Sequence, residues 1–274
     1  IPEYRLQNYL MTLDEFKTIF FWEYIHRFLG RLIGIFFLLP LIFFSIKLGF
    51  KKTINFFTIF FLICFQGFIG WYMVASGLVD RVDVSHYRLS LHLVLAFIIL
   101  SLIFWNYLKY KQIHQPEQKI RNKLPIIFII LIFVQIAIGA LVSGMDAGKI
   151  YNSWPLMGSN YFPDDHSLHN LLSLSIFNEP SLVQFIHRNL AYLIFFFYLI
   201  VLINIHKNQL TDFLKTINII GGLLLIQIIL GILTLTTGAQ IIIASMHQIS
   251  SIFLVSSSIY LLYLNSNTIQ QLSN

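Results

Sequence analysis

Seven long apolar stretches, separated by polar connections, set the pattern of this chain. Each is about 20 residues long, which at a rise of 1.5 Å per residue matches the ~30 Å hydrocarbon core of a bilayer. Only 11% of the residues are charged, whereas soluble domains carry roughly 25%, and the mean hydropathy is +0.75. The pattern predicts an all-α integral membrane protein with seven transmembrane helices, at approximately residues 27–46, 56–75, 89–108, 125–144, 186–205, 217–236 and 245–264.

The polar connections alternate in charge. Connections 47–55, 109–124 and 206–216 contain 10 of the 18 basic residues and only two of the 12 acidic ones. By the positive-inside rule these connections face the cytoplasm or matrix, and the long loop 145–184 faces outward. The basic residues flank apolar spans and form no single stripe, which argues against a nucleic-acid partner. We expect a multi-pass protein of a bacterial plasma membrane or a mitochondrial inner membrane.

The chain contains an internal repeat. Residues 23–27 (EYIHR) resemble residues 184–188 (QFIHR) at an offset of 161 (187 − 26). The same offset pairs Gln66 with Gln227, Gly70 with Gly231 and Gly77 with Gly238. Shared spacing over two helices and a loop predicts two related helical bundles.

The two halves differ at their beginnings. Span 125–144 precedes the histidine helix of the second half, while residues 1–22 look like the end of an outer loop. By symmetry we expect a further helix before residue 1 and eight spans in the intact protein. The predicted domains are an N-terminal half-bundle (1–108), an inner linker (109–124) and a C-terminal four-helix bundle (125–274).

Four of the nine histidines fall at the outward ends of spans: His26, His92, His187 and His247. Ionisable groups within a bilayer are costly and usually functional, and imidazole is a common ligand of iron. An interfacial histidine can simply hydrogen-bond among headgroups, but two histidines from two helices in each half favour six-coordinate haem. The single cysteine, Cys64, excludes a disulfide or a thiolate cluster within the chain.

Other residues near the histidines have two interpretations each. Four arginines on the same side could bind haem propionates bidentately or extend to the interface as long basic side chains do. Glycines in the spans permit either close helix packing or room for a porphyrin. The arginine candidates are Arg27, Arg31, Arg88 and Arg188, and the glycines are Gly30, Gly34, Gly70, Gly77, Gly139, Gly144, Gly231 and Gly238.

The motifs resemble those of the haem A synthase family over the whole chain. EYIHRFLGR (23–31) is similar to its first histidine helix, and GWYMVASG (70–77) to its third span. HYRLSLH (86–92) is similar to the following helix. GMDAG (144–148) and YNSWPLM (151–157) resemble its central outer loop. The cysteine pair that some members carry in an outer loop has no counterpart here.

The resemblance implies oxidation of a methyl group of haem O to the formyl group of haem A for cytochrome oxidase. Carried over, His187 and His247 would ligate a haem b cofactor, while His26 and His92 would hold haem O. A haem O synthase (protohaem farnesyltransferase) and an electron acceptor are the expected partners, and a homo-oligomer is compatible with the family.

Glu23 is the chemically distinct residue of the repeat, since Gln184 stands at the equivalent position. It lies three residues before His26, on the same helical face. Because methyl oxidation releases protons, a carboxylate beside the substrate is a candidate catalytic proton acceptor. A structural i, i+4 pair with Arg27 is the alternative.

Two other functions use the same features. A di-haem b cytochrome passing electrons between quinol and a partner would need the same four histidines but would retain both haems. A solute transporter with repeated halves usually interrupts its helices at the bilayer midplane, whereas the polar residues here gather at the outer ends.

Overall fold

The computed structural model describes residues 10–77, 84–121 and 123–266. In these ranges it contains seven helices that are long and apolar enough to cross a membrane, so the predicted all-α membrane fold is confirmed. They are α1 (Leu13–Leu48), α2 (Phe50–Gly77), α3 (His86–Tyr110), α4 (Lys123–Gly144), α5 (Pro180–Lys207), α6 (Thr211–Thr236) and α7 (Ile241–Leu264).

Helix α1 begins well before the predicted span. The sequence suggested that residues 13–22 belong to the end of a loop, but in the structure they are helical. Thr12 caps the helix: its hydroxyl accepts from the Glu15 N–H at 3.3 Å, and the Glu15 carboxylate accepts from the Thr12 N–H at 2.8 Å. This capping box satisfies two terminal N–H groups, so the helix can begin among polar residues that hydropathy alone assigns to a loop.

Large apolar side chains cover the outsides of the helices. Phe36 in α1 is 70% exposed and Phe196 in α5 is 62% exposed. Such exposure is unfavourable in water but not in lipid, whose acyl chains are as apolar as the side chains. The exposed faces therefore fit a multi-pass protein surrounded by a bilayer.

The chain divides into two compact units, Ile1–Ile99 and Leu100–Asn274, and the division falls within α3. In the first unit α1 packs against α2. The turn between them is at Gly49, whose φ of +85° is a conformation that favours glycine. Ser45 Oγ and Thr53 Oγ1 lie 3.1 Å apart across this turn and join the two helices.

In the second unit the last four helices form a closed ring. Close packing joins α4 to α5, α5 to α6, α6 to α7 and α7 back to α4. Helices α5 and α7 therefore occupy diagonal corners of a four-helix bundle. In such bundles, cofactor sites are built from side chains of facing helices.

The connection between α3 and α4 is fixed to the end of α7. Gln115 donates to the Tyr263 carbonyl at 2.7 Å, and Lys119 donates to the Leu264 carbonyl at 3.0 Å. Partial burial at this contact lowers the pKa of Lys119. The contacts close the lysine-rich end of the bundle.

Candidate haem site: the paired histidines

His26 and His92 lie together in the first unit. Their ring centroids are 6.4 Å apart, with the ring planes at 72°. His92 is partly buried, whereas His26, in the middle of the long helix α1, is exposed. The side chains of His26 and His92 therefore lie close together, but His26 has much less protein around it than His92.

His187 and His247 lie on the diagonal helices α5 and α7 of the second unit. His187 comes seven residues after the first residue of its helix (187 − 180), and His247 six (247 − 241). His92 also comes six residues into α3 (92 − 86). The three histidines therefore occupy equivalent depths in their helices.

Three of these histidines share a polar feature. The Nδ1 atoms of His92, His187 and His247 are buried and have no hydrogen-bond partner among the residues that the structure describes. His86 Nε2 and several buried amide and hydroxyl oxygens are in the same state, so this feature alone does not mark a ligand. With Nδ1 enclosed by protein, Nε2 is the nitrogen that each ring could offer to a haem iron.

The chemistry of the donor set fits haem better than a bare metal ion. Across the described ranges, no group of three or more His, Cys, Asp or Glu side chains could hold a metal ion. Haem needs fewer protein ligands, because the porphyrin supplies four nitrogens and the protein only the axial positions.

Glu23 forms an ion pair with Arg27. Arg27 Nη2 lies 2.6 Å from Glu23 Oε2, and the two side chains are 48% and 46% exposed. This is the i, i+4 arrangement that the sequence allowed as the structural alternative. Half-exposed pairs contribute little to stability. The Glu23 carboxylate can therefore leave Arg27 to accept a proton at little cost to the fold.

The equivalent residues of the second half have a different role. Gln184 and Arg188 both donate to the carbonyl of Tyr151, each at 3.0 Å. Arg188 also donates to the carbonyls of Ser153, at 3.0 Å, and Leu156, at 3.2 Å. A carbonyl can accept only from a donor, so an amide is required where the first half has a carboxylate. The central outer loop therefore supplies a structural reason for glutamine at position 184.

Further contacts hold this loop, residues 145–179, against the second unit. Trp154 Nε1 donates to the Tyr192 hydroxyl at 3.0 Å, and the Tyr161 hydroxyl donates to Asn189 Oδ1 at 2.6 Å. Asn152 donates to the Leu235 carbonyl at 2.8 Å. The motif 151–157 includes Asn152 and Trp154, but the sequence did not reveal these contacts because the partners are 28 to 83 positions away.

The four propionate candidates are not equivalent. Arg27 and Arg188 have the partners described above, and Arg88 donates to the Ser76 hydroxyl and stacks over the Tyr72 ring at 4.6 Å. A propionate would have to share or replace these partners. Arg31 is exposed and makes no hydrogen bond or ion pair within the described part of the chain.

The fold defines a polytopic helical membrane protein in which the four histidines are candidate haem ligands. Its sequence matches the cytochrome oxidase assembly protein family, COX15-CtaA, over residues 1–259. The chain belongs to this family.

Relatives with the printed name heme A synthase cover nearly the whole chain. The protein of Pelagibacter ubique (strain HTCC1062) is 51% identical over 271 residues, which are 97% of this chain and 80% of the relative. That of Rickettsia bellii (strain RML369-C) is 42% identical, with 97% and 81% covered. That of Wolbachia pipientis wMel is 41% identical, with 97% and 77% covered. These relatives are bacterial.

Proposed function

We propose that the chain carries out haem A synthesis with two histidine pairs, one for a cofactor and one for the substrate. The reaction is that of its family: a membrane oxidoreductase converts a methyl group of haem O to the formyl group of haem A for cytochrome oxidase assembly. The observation that carries the proposal is the placement of the histidines: the ring centroids of His26 and His92 are 6.4 Å apart, and His187 and His247 lie on diagonal helices of one bundle. The same relatives favour a synthase over a di-haem cytochrome.

His187 and His247 are the proposed axial ligands of haem b. They lie on diagonal helices of a closed bundle, so a planar group between them would be enclosed on its sides by α4 and α6. Haem b, when bound, supplies one-electron redox chemistry. Arg188 and the central loop close this unit and limit the access of water.

His26 and His92 are the proposed ligands of haem O. The greater exposure of His26 suits a site that must admit substrate and release product. Glu23, one helical turn from His26, is the proposed acceptor of protons released when the methyl group is oxidised. Arg31 is the guanidinium best placed to bind a propionate without losing another partner.

The proposal includes the setting and partners of the enzyme. In this proposal the lysine-rich connections face the cytoplasm, and the helix beginnings that carry His92, His187 and His247 face outward. Haem O arrives from a haem O synthase. In the proposed reaction the formyl oxygen comes from water, the electrons leave to an acceptor on or in the membrane, and the protons are released at the substrate.

Pigment extraction from histidine variants tests the division of work between the pairs. His187→Ala and His247→Ala are expected to lose haem b, while His26→Ala and His92→Ala keep haem b but yield no haem A. Thermal melting identifies variants that fail to fold. Loss of haem b from the His26 and His92 variants alone would overturn the assignment.

A further inference from the structure

Three helix pairs share one contact to a histidine, and Gln135 Nε2 additionally lies 3.3 Å from His187 Nε2. On one helix of each pair a glutamine donates from Nε2 to the backbone carbonyl of the histidine on the next helix. The distances are 2.9 Å for Gln66 to His92, 3.1 Å for Gln135 to His187 and 3.1 Å for Gln227 to His247. The carbonyl of a helical residue already accepts a bond within its helix, so this second donor is a specific tie between helices.

A glycine follows each glutamine by four residues, one helical turn, and faces the imidazole ring. A Cβ built on Gly70 would lie 3.0 Å from His92 Cε1, and one on Gly139 would lie 3.0 Å from His187 Cε1. At Gly231 the distance to His247 Cε1 would be 3.3 Å. Each ring therefore lies with its Cε1 corner against the backbone of the neighbouring helix, and a Cβ there would push the ring or the helix away by a few tenths of an ångström.

Other glycines of α2 and α6 differ from these: a Cβ on Gly221 in α6 would overlap the Tyr198 hydroxyl, which is not a histidine contact. A Cβ on Gly67 in α2 or Gly222 in α6 would meet nothing within 4 Å. The glycines that follow a glutamine by four residues in α2, α4 and α6 are therefore the ones that lie against histidine rings. The pattern Gln-x-x-x-Gly occurs beside three of the histidines. In each case the glutamine donates a hydrogen bond to the histidine main chain, and the glycine lies against the imidazole ring.

We propose that each glutamine–glycine pair is a seat that positions the adjacent histidine for haem iron. The glutamine fixes the position of the histidine helix along the axis of its neighbour, and the glycine fixes the orientation of the imidazole plane. Together they keep one ring nitrogen pointing into the bundle. Gln135 with Gly139 and Gln227 with Gly231 position the ligands of the cofactor. Gln66 with Gly70 positions His92 for the substrate. This inference rests on the proposed function, since it takes the histidines as haem ligands.

Alanine variants of the full chain test the seats. Gly139→Ala is expected to shift the absorption bands and the reduction potential of haem b and to weaken its binding on the order of 10-fold, as loss of support around a metal ligand commonly does. Gly231→Ala is expected to act in the same direction but less, because its contact is longer. Gly70→Ala should leave the haem b spectrum unchanged and lower bound haem O. Gly67→Ala and Gly222→Ala are matched controls and should resemble the wild type.

The glutamines are tested with Gln135→Met, which keeps the length of the side chain and removes the donor. A purely structural tie predicts a lower melting temperature with unchanged haem b bands and potential, whereas a seat predicts that bands and potential change.

Alanine forms helices better than glycine, so effects of the glycine variants cannot be ascribed to weaker helices.

Normal bands, potential and haem b affinity in Gly139→Ala would overturn the seat. His187→Ala separates this failure from failure of the proposed function. If that variant retains haem b, the ligand assignment itself is wrong. If it loses haem b while Gly139→Ala is normal, only the seat is wrong.

Discussion

Replacing Glu23 by glutamine removes one charge from the proposed substrate site and almost nothing else. The amide has nearly the same shape as the carboxylate, and its oxygen can still accept from Arg27. The ion pair has an N–O distance of 2.6 Å, but both side chains are about half exposed. Exposed pairs contribute about 0.2–1 kcal/mol, so we expect melting to change little and haem b to remain bound.

The expected effect on the reaction is much larger. A positioned general base contributes typically 10²–10⁴-fold to a rate, so haem A formation should fall by about that factor if Glu23 accepts protons. The assay is extraction of haem A from cells that express the full chain together with a supply of haem O. Haem b content and melting temperature are measured on the same preparations.

Two further variants separate catalysis from structure. Glu15→Gln removes a charge from the same helix at its capping box, where glutamine is also accepted, and should leave haem A unchanged. Arg27→Gln breaks the ion pair but keeps the carboxylate of Glu23. Near-normal haem A in Glu23→Gln would refute the proposed role, and an equal loss in Arg27→Gln would assign the effect to the pair.

Two more predictions concern the anchor of the central loop. Gln184→Glu places a carboxylate where the Tyr151 carbonyl needs a donor, in a side chain only 3% exposed. We expect a loss of roughly 1–3 kcal/mol of stability, measured by denaturation, with faster proteolysis of the loop; unchanged cleavage would contradict the anchor. Burial, followed by the charge of Asp165, raises the pKa of Tyr151 above its usual 10. The neutral hydroxyl therefore stabilises the fold fully below pH 10 and less as the pH rises through the raised pKa. The difference in melting temperature between wild type and Tyr151→Phe should shrink in that range, and a constant difference would argue against the shift.

The sequence by itself determined the membrane architecture and the candidate ligands. The bilayer requires about 20 apolar residues per helix whatever the helix packs against, so the seven spans could be located from composition along the chain. The repeat likewise singled out the four histidines: His26 and His187 share the offset of 161 residues, and His92 and His247 pair at a shorter offset of 155 (247 − 92). The early start of α1 was also encoded locally, by the Thr12–Glu15 capping box, but hydropathy does not register caps.

The tertiary structure decided the roles of the residues around the histidines. Gln184 differs from Glu23 in sequence, but only the fold shows that a loop carbonyl 33 positions away requires its amide. The third glutamine–glycine pair, on α4, was likewise unrecognised until Gln135 was seen to donate to His187, 52 positions away. Both residues act through hydrogen bonds whose partners lie far along the chain, and such partners are set by packing between helices. Periodicity and hydropathy describe one helix at a time and carry no information on which helix lies beside it.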